Sequence, residues 1–240
     1  MKIGALKEIV RHPVKSFRGE NVLNTKVFSY GLYGDRSHAF LDEKRPGKYL
    51  TLTQVPELAN YHATFVGEES LESFPTLKIQ SPSGNTYQWE EAKLTEELEE
   101  LSGRKVTPVQ YSPDYVPFGA IEEEHLLVTT EASLIKMSEI WGKQVDYRRF
   151  RPNLVLSLNE NEPFIEETWF GKRMQIGEAE IILKRHCERC QIINIDPENG
   201  ISDPTLLKTV YKERNNCFGV YASVVKTGNI AVGDSIYLSD

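Results

Sequence analysis

Short β-rich runs, each cut off by Gly, Pro or Asn, are what most constrain this chain. Ile3–Val10, Val22–Ser29, Ser37–Asp42, Tyr49–Thr53, Tyr61–Val66 and Thr76–Ile79 all read as strands. The segments EKRPGK (43–48) and SPSGN (81–85) have the composition of hairpin turns. Many short strands at this spacing bury their apolar faces by forming a barrel or a sandwich. Helical periodicity first shows in Glu91–Leu101, where Leu94, Leu98 and Leu101 fall on one face.

Prolines and aromatics interrupt any period in YSPDYVPFG (111–119), so a seam is expected there, with units 1–115 and 116–240. Beyond it, TTEASLIKMSEIWG (129–142) reads as a helix. Thr130 would cap it, Leu134, Met137, Ile140 and Trp141 would line one face, and Gly142 would end it. Asn153–Leu158, Ala179–Lys184 and Gln191–Ile195 read as strands. Asp203-Pro204 opens a second helix carrying Leu207, Val210 and Tyr211. Phe218–Val225 and Ser235–Leu238, joined by KTGNIAVGD, close the chain. The expected fold class is mainly β (α+β): two β-dominated units with a few packed helices.

With 240 residues the chain can bury a sizeable core, and 40% hydrophobic with 26% charged residues is ordinary globular composition. A net charge of −7 argues against general attraction to nucleic acid or an anionic membrane. The start lacks a signal-peptide core, and no stretch approaches the roughly 18–20 apolar residues of a membrane span. Three cysteines, an odd count without disulfide-like spacing, fit a reducing cytoplasm.

The chemistry is concentrated in KRHCERCQIINIDPENG (184–200), where Cys187 and Cys190 stand three apart. A structural zinc site needs a second pair of ligands; Cys217 is isolated, and His186 is too close in sequence to complete a tetrahedron easily. A thioredoxin-type pair sits at a helix N-terminus, whereas the residues after Cys190 read as a strand. Two buried cysteines that merely pack are the plain alternative. Basic residues cluster in three other places of this acidic chain: Lys15, Ser16 and Arg18 beside Pro13; Asp35 and Arg36 in a glycine-bounded turn; and Arg148, Arg149 and Arg151 before Asn153. Arginine forks donate paired hydrogen bonds to phosphate, and lysine adds a point charge. Together with Arg189, these patches form one anion site only if the fold gathers them.

In order, HPVKS (12–16), GDR (34–36), TEASL (130–134), RRFRPNLVL (148–156), CERCQIINIDPENG (187–200), FGVYA (218–222) and GNIAVGD (228–234) resemble the MOSC family, named for the C-terminal domain of molybdenum cofactor sulfurases. The first half resembles the β-barrel domain that precedes MOSC in the mitochondrial amidoxime-reducing component and its bacterial relatives. The resemblance spans almost the whole chain. It implies an N-terminal barrel-like domain followed by a MOSC β-barrel, and a molybdenum pterin cofactor. Cys190 matches the thiolate that binds molybdenum, a soft donor suited to that metal. Lys15, Ser16 and Arg36 match positions that hold the cofactor's phosphate and pterin; Arg151 and Asn153 match further contacts, and Arg189 stands beside the ligand. Cys187 receives no role.

The implied reaction is reduction of N-hydroxylated compounds (amidoximes, hydroxylamines or N-hydroxylated bases) with two electrons and two protons and release of water. Electrons would come from a separate flavin, iron–sulfur or haem protein, because the chain ends at Asp240 with no iron–sulfur domain. Asp35, His38 and Glu131 are the candidates for a proton donor. Two rival readings use the same thiols: a persulfide or cofactor carrier on Cys190, and a dithiol oxidoreductase on Cys187 and Cys190. Pyridoxal phosphate binding accompanies the family as an association, although no desulfurase domain is present to generate sulfur. His12 stands where relatives often have Tyr, and Phe17 where a small residue or Cys is common; neither change removes a proposed ligand.

Overall fold

The computed structural model describes residues 1–121 and 124–239; Asp240, the chain end noted above, lies outside them. The first half supplies β1 (Lys2–Arg11), β2 (Glu20–Val22), β3 (Asn24–Phe28), β4 (Gly31–Leu32), β5 (His38–Asp42), β6 (His62–Val66), β7 (Thr76–Gln80), β8 (Thr86–Gln88), α1 (Ala92–Ser102) and β9 (Val106–Gln110). The second supplies β10 (Leu126–Thr130), α2 (Glu131–Trp141), β11 (Leu154–Leu158), β12 (Arg173–Ile176), β13 (Ala179–Glu188), α3 (Thr205–Arg214), β14 (Cys217–Lys226), β15 (Gly228–Ala231) and β16 (Ser235–Ser239).

An eight-stranded sheet runs β11-β10-β14-β13-β12-β16-β1-β2, and pairing of β11 with β1 closes seven of these strands into a barrel. Closure removes the exposed edges that short strands would otherwise present. Every second residue points inward: Ala179, Ile181 and Leu183 on β13, Met174 and Ile176 on β12, and Val220 and Ala222 on β14 are all buried in the barrel core. Each Val, Ile, Leu or Met among them contributes about 1.5–3 kcal/mol on burial. Gly4 sits on the closing seam opposite Leu158, where a Cβ would stand 2.2 Å from the Ser157 carbonyl oxygen and 2.8 Å from Leu158 Cα. Gly4→Ala is therefore expected to cost about 1–3 kcal/mol by forcing the seam apart. A lowered midpoint in thermal unfolding checks this, and an unchanged midpoint would show that the seam yields freely.

The remaining strands form small antiparallel sheets: β15-β3-β4, β5-β9 and β6-β7-β8. The β5-β9 and β6-β7-β8 sheets surround a second core of Phe17, Phe40, Leu58, Ile79, Leu94 and Leu98, whereas Val27, Leu32 and Ile230 of β15-β3-β4 pack into the barrel core. Strand partnership crosses the chain halves in both directions, since β1 closes the barrel and β15 pairs with β3. A third core, including Met137, Phe150, Ile193, Val210 and Phe218, seats α2 and α3. The Thr130 side chain caps α2 by accepting from the Ser133 backbone N–H, and Gly142 ends it at φ 76°.

Several elements differ from expectation. Val22–Ser29 is two strands broken at exposed Leu23. Tyr49–Thr53 is not a strand beyond a single bridge from Tyr49 to Leu41. The Thr51 N–H is taken by the Gln54 side chain, which holds a turn instead. Gln191–Ile195 is a 3-10 helix over Gln191–Asn194, because Arg149 captures the carbonyls of Ile193 and Asn194. On α3 the buried pair is Leu206 and Val210, while Tyr211 is exposed; on α1, Leu101 is exposed. β9 contains Pro108, which is tolerated because β9 lies in a two-stranded sheet with one free edge.

Candidate functional site

β13 runs past the expected Lys184 as far as Glu188, so Cys187 is its last inward position and is buried. The chain then leaves the sheet at Arg189 and Cys190. Immediately afterwards Ile193 enters the helical core and Ile195 the N-terminal core. Apolar anchors on both sides thus hold Cys190 in place while leaving its thiol exposed. Arg189 braces the turn. Its backbone N–H donates to Asn216 O (2.8 Å), Nη1 to Cys187 Sγ (2.7 Å) and Nη2 to Phe150 O (2.7 Å). Its buried Nε has no hydrogen-bond partner among the described residues. Cys187, unassigned by sequence, is thereby the acceptor that fixes the arginine beside Cys190.

Setting aside a dithiol pair because a strand follows Cys190 does not survive the structure. The segment is helical, although four residues are too short to carry a useful dipole. What separates the two thiols is exposure: Cys187 is 2% exposed and bonded, and Cys190 is open.

The opposite wall comes from the first half. HPVKS runs beside residues 36–38, joined by Arg36 N–H to His12 O, His38 N–H to Pro13 O, and Lys15 N–H to His38 O. Ser16, Arg36 and Arg151 adopt φ of 70°, 54° and 54°. Non-glycine residues enter this left-handed region at a cost of order 1 kcal/mol or more, and when they cluster they mark a surface shaped for a ligand. All three line one cleft with Asn153, Arg189 and Cys190, enclosing about 640 Å³ of space open to solvent. Lys15 lies outside its lining; its ammonium donates to Ala120 O and sits over the Tyr49 ring.

Behind this wall Asp35 is the common acceptor of three buried groups: the His12 backbone N–H (2.7 Å), Asn153 Nδ2 (3.1 Å) and the Arg36 guanidinium. Although burial alone would raise it, these charges and hydrogen bonds hold the carboxyl well below the usual carboxylate range. Asn153 also donates to Val10 O and accepts from Leu127 N–H, so its amide knits β1, β10 and Asp35 together. Its place in the cleft is that of a positioning residue. Asp35→Ala is expected to destabilise the protein by about 3–5 kcal/mol, since it strips the counter-charge from a buried arginine. Denaturant titration checks this, and a loss below about 1 kcal/mol would mean the node is redundant.

None of the suggested proton donors lines the cleft. Asp35 is buried behind it, His38 packs against Trp89, Phe65 and Phe74, and Glu131 is ion-paired with Lys7. The carboxylates that do line it are Glu124, which accepts from Ser223 Oγ, and Glu188. Tyr221 lines it too. Sequence reading passed over all three; Tyr221 was signalled only by its place in FGVYA and Glu188 by its place in the cysteine motif, and Glu124 by nothing.

The chain matches two family models that abut: the MOSC N-terminal beta barrel domain over residues 3–107 and the MOSC domain over residues 108–237. Mitochondrial amidoxime reducing component 2 of Rattus norvegicus is 26% identical, covering 98% of this chain and 83% of the relative. Mitochondrial amidoxime-reducing component 1 of Homo sapiens is 25% identical, covering 99% and 83%. Molybdenum cofactor sulfurase of Arabidopsis thaliana is 26% identical over 81% of this chain, which spans 29% of that protein. Among solved structures, the YuaD protein from Bacillus subtilis superposes with a TM-score of 0.51 at 12% identity, covering 99% and 96%, a likeness of fold alone. Since the MOSC model alone takes in more than half of the residues, and its cysteine motif is the one that ends β13 at the cleft, the chain belongs to the MOSC-domain family.

Proposed function

We propose that this protein binds a molybdenum pterin cofactor in the Cys190 cleft and reduces N-hydroxylated compounds such as amidoximes, hydroxylamines or N-hydroxylated bases. The observation that carries the reading is a single exposed thiol facing a wall of cationic residues held in left-handed backbone. That donor set fits the group: a soft thiolate for the metal, and Arg36, Arg151 and Ser16 for an anionic tail. Lys15, one residue from the lining, adds charge behind Ser16, and the unsatisfied Nε of Arg189 offers a donor beside the thiol. When bound, the cofactor would supply two-electron acceptance of oxygen from an N–OH group. The chain's own part is to hold and orient. Cys190 is the metal ligand, Asp35 and Asn153 fix the arginine wall, and Cys187 fixes Arg189.

Glu188 and Glu124 are the groups placed to pass a proton, in place of the candidates that lie outside the cleft. Electrons would arrive from a separate protein, to which the exposed thiol edge is open. Among the described residues no helix is long and apolar enough to cross a membrane, and three free cysteines support a reducing compartment such as the cytoplasm. We place the division between units at 115/116.

The test is the metal and pterin content of protein made in a molybdenum-replete host, with amidoxime reduction assayed using a reduced artificial donor. Stoichiometric molybdenum with turnover is expected; protein without molybdenum and without activity sinks the reading. The same exposed thiol, with the sulfurase relative, supports a second reading: a persulfide carrier on Cys190. Intact-mass measurement before and after reductant separates the two, since only a carrier loses a labile sulfur.

A further inference from the structure

A second concavity adjoins the Cys190 cleft, sharing Leu52, Arg151 and Ile192 as a common wall. Its rim is cationic in a chain of net charge −7: Arg18 arrives from the loop after HPVKS and Arg148 from the turn before FRPN. One carboxylate, Glu198 of the 196–200 loop, joins them. Arg18 grips it with both terminal nitrogens, at 3.0 and 3.4 Å, and Arg148 reaches it at 2.5 Å. Glu198 is itself 58% exposed, whereas the two arginine side chains are 30% and 25% exposed. The two half-buried guanidinium groups of the rim are therefore bridged by a side chain reaching in from solvent.

His12, 3% exposed, forms part of the floor, with its Nδ1 turned toward Asp35 Oδ1 at 3.6 Å. The field is also positive: burial and then Arg18 and Arg148 lower the pKa of His62 nearby. Asp146 holds Arg148 in place by accepting from Nε and Nη2, so Arg148 keeps its position when Glu198 leaves, and the fork that Glu198 vacates is that of Arg18.

We propose that this concavity is a second ligand site, taking a phosphate monoester, and that Glu198 is a tethered stand-in for the phosphate. The charge decides the ligand class. Exchanging a tethered monoanion for a free monocarboxylate gains no charge interaction and costs association entropy. A dianion brings a second charge to the Arg18 and Arg148 guanidinium groups, and the Arg18 fork matches phosphate oxygens bidentately. The site is distinct from the one around Cys190 and stands whichever reaction runs there.

Titration calorimetry of the purified full chain with inorganic phosphate and with glycerol 2-phosphate tests it, with acetate as the monoanion. Glu198→Gln, which removes the competing charge and keeps the shape, is expected to tighten both phosphates by about tenfold. Arg18→Gln and Arg148→Gln are expected to weaken them by about tenfold or more, and acetate is expected to bind to none. Phosphate held in the Cys190 cleft does not sense Glu198. Equal affinity in wild type and all three variants, or weaker binding by Glu198→Gln, therefore overturns the second site. Thermal midpoints within a few degrees of wild type confirm that each variant is folded, and the two arginine variants serve as checks on one another. Molybdenum content of the same preparations judges the Cys190 reading separately.

Discussion

Cys190→Ser is expected to bring molybdenum in the purified protein to background and to abolish amidoxime reduction, while leaving the thermal midpoint at that of metal-free wild type. The fold is spared because the thiol is exposed and makes no packing contact the core depends on; Ile193 and Ile195 hold the loop. Removal of a second-shell partner typically costs 10- to 100-fold in metal affinity, so loss of a soft ligand itself should exceed about 100-fold. Cys187→Ser should behave differently. It alters the acceptor of Arg189 Nη1, so the expected signature is a stability loss of about 1 kcal/mol with metal retained at reduced affinity. Metal analysis, activity and unfolding on the two variants side by side make the comparison. Equal and complete loss of activity in both, with molybdenum retained, would instead mark a dithiol enzyme.

Stability is expected to fall steeply as pH drops from 7 to 5. His12 and His38 are both buried, and burial lowers each to about 3 from an ordinary 6.5; for His12 the charges of Arg151 and Arg36 add to the effect, while Asp35 opposes it. Between these values the unfolded chain takes up protons that the folded chain refuses. The contribution is therefore complete above about 6.5 and is lost progressively as pH falls, at up to about 1.4 kcal/mol per pH unit for each histidine. Asp35, with its carboxyl held low, acts in the same direction below about pH 4. Glu20 and Glu166 act against it, because burial raises them and so favours the folded state at low pH. The net slope is thus best read by difference: His38→Gln should flatten the dependence of the urea midpoint on pH by the share of one histidine. A midpoint level from pH 7 to 5 in wild type, or a slope unaltered in the variant, would show that these rings take up protons without unfolding.

Much of the architecture was legible because strand signals are local. Ile3–Val10, Ser37–Asp42, Asn153–Leu158 and the two glycine-bounded ends appear where alternation and turn residues put them, and α2 begins at its Thr130 cap. The failures fall where tertiary contacts overrule local preference. Ile192, Ile193 and Ile195 look like a strand, yet these side chains enter separate cores and Arg149 claims the intervening carbonyls. Tyr211 has the right spacing for a buried face, but Leu206 and Val210 take it, since the direction of the helix is set by Met137 and Phe218.

The sequence by itself determined the β-dominated class and the ordered motifs, because residue type and spacing carry that information. The expectation for Cys190 came from the family those motifs resemble, while thiol spacing alone left a packed or dithiol pair open. Only the tertiary structure decided that β1 closes a barrel with strands from the far half, which brings HPVKS and GDR against FRPN and Cys190. It also decided roles that spacing cannot express: Lys15 behind the cleft, Asn153 as a knot on Asp35, and Cys187 as the brace of Arg189. Asn153 and Val10, partners in one hydrogen bond, lie 143 residues apart in the chain. No local pattern records such a pairing, because it exists only once the core has drawn the two segments together.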